Sequence, residues 1–439
     1  MTTIPTFEPV YKAIDLTKWY EYEGVVKDIV GLIIESTGPQ SKLGEWCTID
    51  VQGKTVDAEV VGFRNSRTLL MPLGSLEGIA PGARVFAKQK SYEVLAGNEL
   101  LSMVLDGLGQ PLSNNKLPDS LTPVPTEAKA PNAYTRPLIK QPLSTGIRAI
   151  DSLLTIGVGQ RMGIFAGSGV GKSTLMGMIA KSSEAEINVI CLVGERGREL
   201  KEFIENDLGE DGLNRSVVVC ATSDQPALVR IKAAFTATAI AEFFRDQGKK
   251  VVLMMDSVTR FAMAQREVGL TLGEPPSSKG YTPSVFSLLP RLLERSGNNE
   301  KGSITAFYTV LVEGDDTDEP IADTARSILD GHIVLSRKLT SKGYYPPIDI
   351  LQSLSRTMPL VISEEQLKCT QELREILSTC NEVEDLVSIG AYKHGSSLKV
   401  DSALARLPRI ESFLKQSKYE FTPFADTVRK LEEVIHAPI

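Results

Sequence analysis

Residues 164–180 read IFAGSGVGKSTLMGMIA, and the fold is decided here. An apolar run, RMGIFA from Arg161 to Ala166, leads into it, and a helical pattern opens near Lys172. Between them, Gly167, Gly169 and Gly171 let backbone N–H groups converge on an anion, with Ser168 and Val170 completing the loop. The helix N-terminus adds its partial positive charge. Lys172 can then reach outer phosphates, Ser173 can ligate Mg²⁺, and Thr174 offers a second hydroxyl. The common pattern opens with glycine. Here that place is Ala166, a departure that a tight turn tolerates. Glycine-rich turns before helices are common and mean little alone. Gly-Lys-Ser at a strand-to-helix junction is specific, and it predicts a Walker A phosphate loop for a nucleoside triphosphate with Mg²⁺.

Such a site needs a second carboxylate for the metal, a group to orient water and a cation for the transition state. Asp256 ends the apolar run VVLMMD, where a strand-end carboxylate beside a phosphate loop belongs. It is the expected metal partner, acting through a metal-bound water. Glu195, in CLVGERGRE, follows the run INVICLVG at the carboxyl edge where open α/β sheets bind ligands. It can polarise water as a general base. From the residues alone, a salt bridge to Arg196 or Arg198 is an equal reading.

Outward from the loop, RMGIFA, INVICLVG, SVVVCATS, KVVLMMDS and SITAFYTVLV are short, β-branched and separated by helical patterns. In one of these, Leu228, Ile231, Phe235, Ala239 and Phe243 recur at helical spacing before Gly248. The alternation predicts an α/β fold, a mostly parallel sheet covered on both faces, over 145–358. Before it, GVVKDIVGLIIES, EWCTIDV, VDAEVVGF and RVFAKQ read as strands of a small β-barrel over 21–95. Residues 96–144 carry Pro111, Pro118, Pro123, Pro125, Pro131, Pro137 and Pro142 and read as a linker packed on the core. Residues 359–439 read as a helical domain. Residues 1–20 read equally as a frayed terminus and as a docking tail.

The 439 residues carry a net charge of −7, which gives no sign of a basic nucleic-acid-binding domain. Cys47, Cys191, Cys220, Cys369 and Cys380 form no C-x-x-C and read as reduced, mostly buried thiols. The three histidines are too scattered for a metal site. No run is apolar enough to cross a bilayer, so membrane association is expected only through partners.

The Lys172, Glu195 and Asp256 constellation, with a barrel before it and helices after, resembles the catalytic subunits of the rotary-type ATPase superfamily, which are RecA-like. The resemblance covers the chain from about Tyr22 onward. The strings from Ser257 to Gly297 and from Gly302 to Arg337 look like the type III export ATPases. The stretch 221–248 and Ala262–Glu267 (AMAQRE) are most similar to the flagellar branch. The resemblance implies that Glu195 is the catalytic glutamate. It implies that Arg356, in LQSLSRTM, reaches into a neighbouring subunit's site, and that Tyr345 stacks on adenine, with Tyr344 a rival by register. A second aromatic wall is expected from Tyr419, Phe421 or Phe424. Arg196 and Arg260 are further candidates near the γ-phosphate.

By the same resemblance, the chain is an Mg-dependent ATP hydrolase assembling as a homohexamer on the cytoplasmic side of the flagellar base. There it assists protein export through the type III secretion apparatus. A stator-like regulator at the N-terminus, export chaperones and substrates, a central stalk and the export gate are the implied partners. A virulence-secretion ATPase and an ion-driven ATP synthase subunit are the alternatives that share the site. The string VLVEGDD, Val310–Asp316, favours export over synthesis. A nucleotide-binding subunit without turnover is disfavoured by Glu195. A ring-shaped RNA translocase is disfavoured by the few basic residues in the barrel.

Overall fold

A computed structural model of the chain describes residues 23–113, 116–312 and 319–438. The expected docking tail at 1–20, and residues 313–316 of the VLVEGDD string, lie outside the described residues.

Two compact units divide at Tyr92 and Glu93. The first is a closed barrel of β1 (Glu23–Val30), β2 (Ile33–Thr37), β3 (Trp46–Val51), β4 (Lys54–Arg64), β5 (Arg67–Pro72) and β6 (Arg84–Ala87), in the order β1-β2-β5-β4-β3-β6. Closure satisfies every strand edge. Val26, Ile34, Ile49, Val60, Leu70 and Val85 fill the interior and are wholly buried. The unit ends short of residue 95 for a pairing reason. β7 (Glu93–Ala96) pairs antiparallel with β9 (Thr122–Pro125) inside the second unit.

The second unit is built, among the described residues, on a sheet of nine strands. Along the order β19-β18-β12-β17-β15-β13-β14-β8 lie β8 (Val104–Asp106), β12 (Arg161–Ala166), β13 (Ile187–Val193), β14 (Ser216–Ala221), β15 (Lys250–Asp256), β17 (Ser303–Leu311), β18 (Gly331–Leu335) and β19 (Ile348–Ser355). The short β16 (Gly297–Asn298) pairs with β17, and β10 (Pro142–Leu143) pairs with β11 (Ile156–Gly157). From β8 to β18 the path is parallel, and β19 runs antiparallel to β18. Nearly every residue of β13, β14 and β17 is buried, as two covered faces require. The proline-rich segment is more than a linker, because it supplies β8 at one edge, paired with β14.

The helices that position the site are α1 (Arg148–Leu153), α2 (Lys172–Ser182), α3 (Ala227–Asp246), α4 (Val258–Leu272), α5 (Pro283–Leu293), α6 (Pro320–Ile328), α7 (Glu364–Ser388), α8 (Leu398–Leu414) and α9 (Phe424–His436). In α3 the fully buried aromatic is Phe244, with Phe243 only partly covered. α1 is buried along its whole length and joins the sheet to the C-terminal helices. The Gln366 amide of α7 donates to the Asp151 carbonyl at 3.1 Å, and the Thr370 hydroxyl donates to the Ser152 carbonyl at 2.9 Å. The five cysteines are free and buried.

Candidate nucleotide site

Strand polarity brings the candidate residues together. β12, β15 and β13 are parallel, so the loop after β12, Asp256 at the end of β15 and Glu195 just past β13 share one edge. With one strand between β12 and β15, Asp256 stands about two strand spacings, ~10 Å, from the loop's own strand. The lysine stem spans that gap. Lys172 Nζ contacts Asp256 Oδ1 and lies 3.5 Å from Glu195 Oε1. The strand between, β17, contributes Thr309, whose hydroxyl donates to Asp256 Oδ1 at 2.8 Å. The Asp256–Ser257 peptide is cis.

The loop is held from its two ends. Gly171 caps α2 with φ +94°, a left-handed conformation that glycine adopts without a Cβ penalty. Gly167 and Val170 are buried, while Ser168 and Gly169 are exposed. Ser173 and Thr174 occupy the first turn of α2 beside Lys172.

Glu195 is buried, and its ionic partners are Lys172 and Arg260, whose Nε donates to Oε1 at 3.2 Å. Arg260 lies flat against Gly194, where a Cβ would meet its Cδ at 2.8 Å. Arg198 instead pairs with Glu202 at 3.3 Å, and Arg196 is exposed at the start of the helix 197–202. Burial, reinforced by the neighbouring Glu199, raises the Glu195 pKa above the ordinary glutamate value, against the pull of Lys172 and Arg260. Burial opposes the charge on Lys172, but the carboxylates of Asp256 and Glu195 more than offset it and hold its pKa above the ordinary lysine value. The cluster is therefore a buried cation shared by two carboxylates, one of them reluctant to ionise.

Beside the loop lies a cavity of about 370 Å³ lined by Gly171, Thr174, Leu175, Met178, Tyr345, Pro346, Pro347, Gln416, Ser417 and Lys418. Tyr345 is in its wall. Tyr344 is buried under Lys415 and lines a different cavity. The expected second aromatic is not in that lining. Among the described residues, 416–418 take the position, and Tyr419 and Phe421 line an adjacent depression with Lys181 and Ser182. The 416–418 backbone turns toward Tyr345 because Gln416 N donates to the Tyr345 carbonyl at 2.8 Å. Phe424 starts α9.

Arg356 is not part of the cluster. It follows β19, which runs antiparallel to β18, and its backbone N–H donates to the Asp330 carbonyl just before β18 begins. That is the sheet edge opposite the loop, about five residue rises or ~17 Å away along β12. Its side chain is exposed.

Thr309, Arg337, Gln416 and Lys418 were not legible as site residues. Arg337 Nη2 approaches the Ser168 carbonyl at 3.5 Å. Gln416 stands two residues ahead of the aromatic KYEFTPF string, in a stretch with no motif of its own.

The family model described as "ATP synthase alpha/beta family, nucleotide-binding domain" matches residues 146–355. The beta-barrel domain of the same family matches 26–87, and the "T3SS EscN ATPase C-terminal domain" matches 362–433. The chain is 58% identical over 410 residues to the flagellum-specific ATP synthase of Bacillus subtilis, covering 93% of this chain and 94% of that one. It is 50% identical to the type 3 secretion system ATPase of Xanthomonas euvesicatoria, with 94% and 93% covered. Among solved structures, the assembled ATPase EscN of enteropathogenic E. coli matches with TM-score 0.89 at 44% identity, covering 94% of this chain and all of that one. EscN in complex with its central stalk EscO matches with TM-score 0.87 at the same identity.

Proposed function

The chain belongs to the ATP synthase alpha/beta family, in which it is a nucleotide-binding ATPase of the type III export class, and we propose that it drives export through the flagellar apparatus from one shared site per subunit interface. The carrying observation is the Lys172–Glu195–Asp256 cluster on one sheet edge, with Arg356 on the other. The flagellar assignment, rather than a virulence one, rests on 58% identity to the flagellar relative against 50% to the secretion relative.

In this reading, the loop 167–174 wraps the phosphates through its backbone N–H groups and Lys172. On nucleotide binding, Lys172 exchanges a carboxylate partner for phosphate oxygen. The Ser173 hydroxyl and the Asp256 carboxylate, which the Thr309 hydroxyl holds in place, are oxygen donors of the kind that would fit Mg²⁺. When bound, that ion neutralises charge developing on the phosphates. Glu195 then orients the attacking water and takes its proton. Arg260 stays beside Glu195, Arg196 rims the site, and Tyr345 stacks on the base.

Arg356, exposed on the far edge, completes a neighbour's site as an arginine finger. A closed ring of like subunits, six in the proposed assembly, follows from this reading, and the solved EscN relative, described as assembled, supports self-association. A central stalk, a regulator at the N-terminal segment, chaperoned substrates and the export gate are the proposed partners, at the cytoplasmic face of the membrane. No described helix is long and apolar enough to cross a membrane.

The test is replacement of the cellular copy by Lys172→Ala, with Mg²⁺-ATPase turnover and soft-agar motility read together. Both should be lost. Normal turnover would overturn the loop assignment. Lost turnover with full motility would overturn the export role.

A further inference from the structure

The cavity beside Tyr345 has three walls from distant parts of the chain: the first turns of α2, the 345–347 turn, and 416–418. The third wall belongs to the connection between α8 and α9. Gln416 holds it to the other two. Its backbone N–H donates to the Tyr345 carbonyl at 2.8 Å. Its Oε1 accepts from Arg148 N at 2.8 Å, and its Nε2 donates to the carbonyls of Gly146 at 2.7 Å and Glu420 at 2.8 Å. Both amide protons and the oxygen are engaged within the protein, so this buried side chain has no donor left to read a base. Its work is to brace.

Arg148, on the buried α1, grips the same connection. Nε donates to the Phe413 carbonyl at 2.6 Å, Nη1 donates to the Thr422 hydroxyl at 3.2 Å, and the guanidinium also meets the Glu420 carboxylate and the Lys415 carbonyl. The anchor is itself fixed. Asp151 accepts from Thr145 N at 2.9 Å, the Thr145 hydroxyl at 2.7 Å and Gly146 N at 3.0 Å. An arginine fork that meets several acceptors in a dry setting fixes orientation as well as distance.

We propose that Gln416 and Arg148 are positioning residues for the nucleotide base, fixing the gap between Tyr345 and the 416–418 wall. The proposal rests on the reading of this cavity as the base site. A group that shapes only the base pocket affects binding of the nucleoside and leaves phosphate recognition alone, so it shows as a KM effect selective for ATP over a base-free polyphosphate.

The experiment measures MgATP hydrolysis, with Mg-tripolyphosphate as competitive inhibitor, for wild type, Gln416→Ala, Arg148→Lys and Tyr345→Ala. Gln416→Ala should raise KM for ATP about 10-fold and lower kcat less than about 3-fold, with the tripolyphosphate inhibition constant within about 2-fold of wild type. Arg148→Lys, which keeps the charge and loses the fork, should show the same split at about 3-fold in KM, and it serves if the alanine variant does not fold. An unchanged KM in both brace variants, with KM raised in Tyr345→Ala, overturns the brace and leaves the base site standing. A parallel rise of KM and of the inhibition constant overturns it too, since the change would then be general. An unchanged KM in Tyr345→Ala overturns the base-site reading itself.

Discussion

At the residue scale, the chemistry turns on how one buried lysine is shared. Lys172 bridges Asp256 and Glu195, and Arg260 adds a second cation on Glu195. Glu195→Gln keeps the shape and loses the base. It should retain ATP binding by equilibrium titration and lose about 10²–10⁴-fold in turnover. The raised Glu195 pKa sets a pH expectation. A general base acts only when ionised, so kcat/KM should rise with pH along an acid limb lying above 4.5, the ordinary value. Arg260 favours the ionised form, so Arg260→Ala should move that limb to higher pH in a pH–rate profile. The phosphate loop and Asp256 were legible because strand-end position and residue type coincide. Thr309 was not, since a threonine inside SITAFYTVLV looks like any β-branched strand residue until β17 is known to lie between β12 and β15.

At the element scale, alternating apolar runs announced five of the sheet's strands, and helical spacing announced α3. The strands at both ends of the sheet path escaped. β8 is three residues long within a segment that proline otherwise claims, and β19 alternates too irregularly, with a register shift in its pairing to β18. Helix α3 shows why burial patterns need neighbours. Beyond its apolar stripe it buries Glu242, which takes the Arg295 Nε at 3.0 Å, while Arg295 Nη1 reaches the Thr126 carbonyl at 2.6 Å. Arg295 is 1% exposed, and it ties the segment after α5 to α3 and to the residue that follows β9. Arg295→Ala strands a buried carboxylate. The urea midpoint should fall by an amount corresponding to about 3–5 kcal/mol, and an Arg295→Ala, Glu242→Ala pair should recover part of it.

At the scale of the whole molecule, the net charge of −7 gives no sign of a basic nucleic-acid domain, and composition leaves assembly open. The arrangement that bears on assembly is the antiparallel turn of β19, which carries Arg356 to the edge away from Lys172. An arginine there cannot serve its own chain's loop across ~17 Å. Lys172→Ala and Arg356→Ala chains should each be nearly inactive alone. Mixed, they should regain activity, because some interfaces then join an intact loop to an intact arginine. Turnover measured across mixing ratios checks this, and a flat baseline at every ratio would count against shared sites.

The two edges of the sheet also make the subunit directional, and direction can be counted. A contact joining one chain's far edge to the next chain's loop edge is head-to-tail, so it repeats until it closes on itself. In an open row, the last loop has no arginine and the last arginine has no loop. A pair of chains therefore works at half capacity per chain, and each added chain raises the average without reaching the full value. Closure alone joins the two loose ends, so the final subunit adds two complete sites where each earlier addition to the row made one.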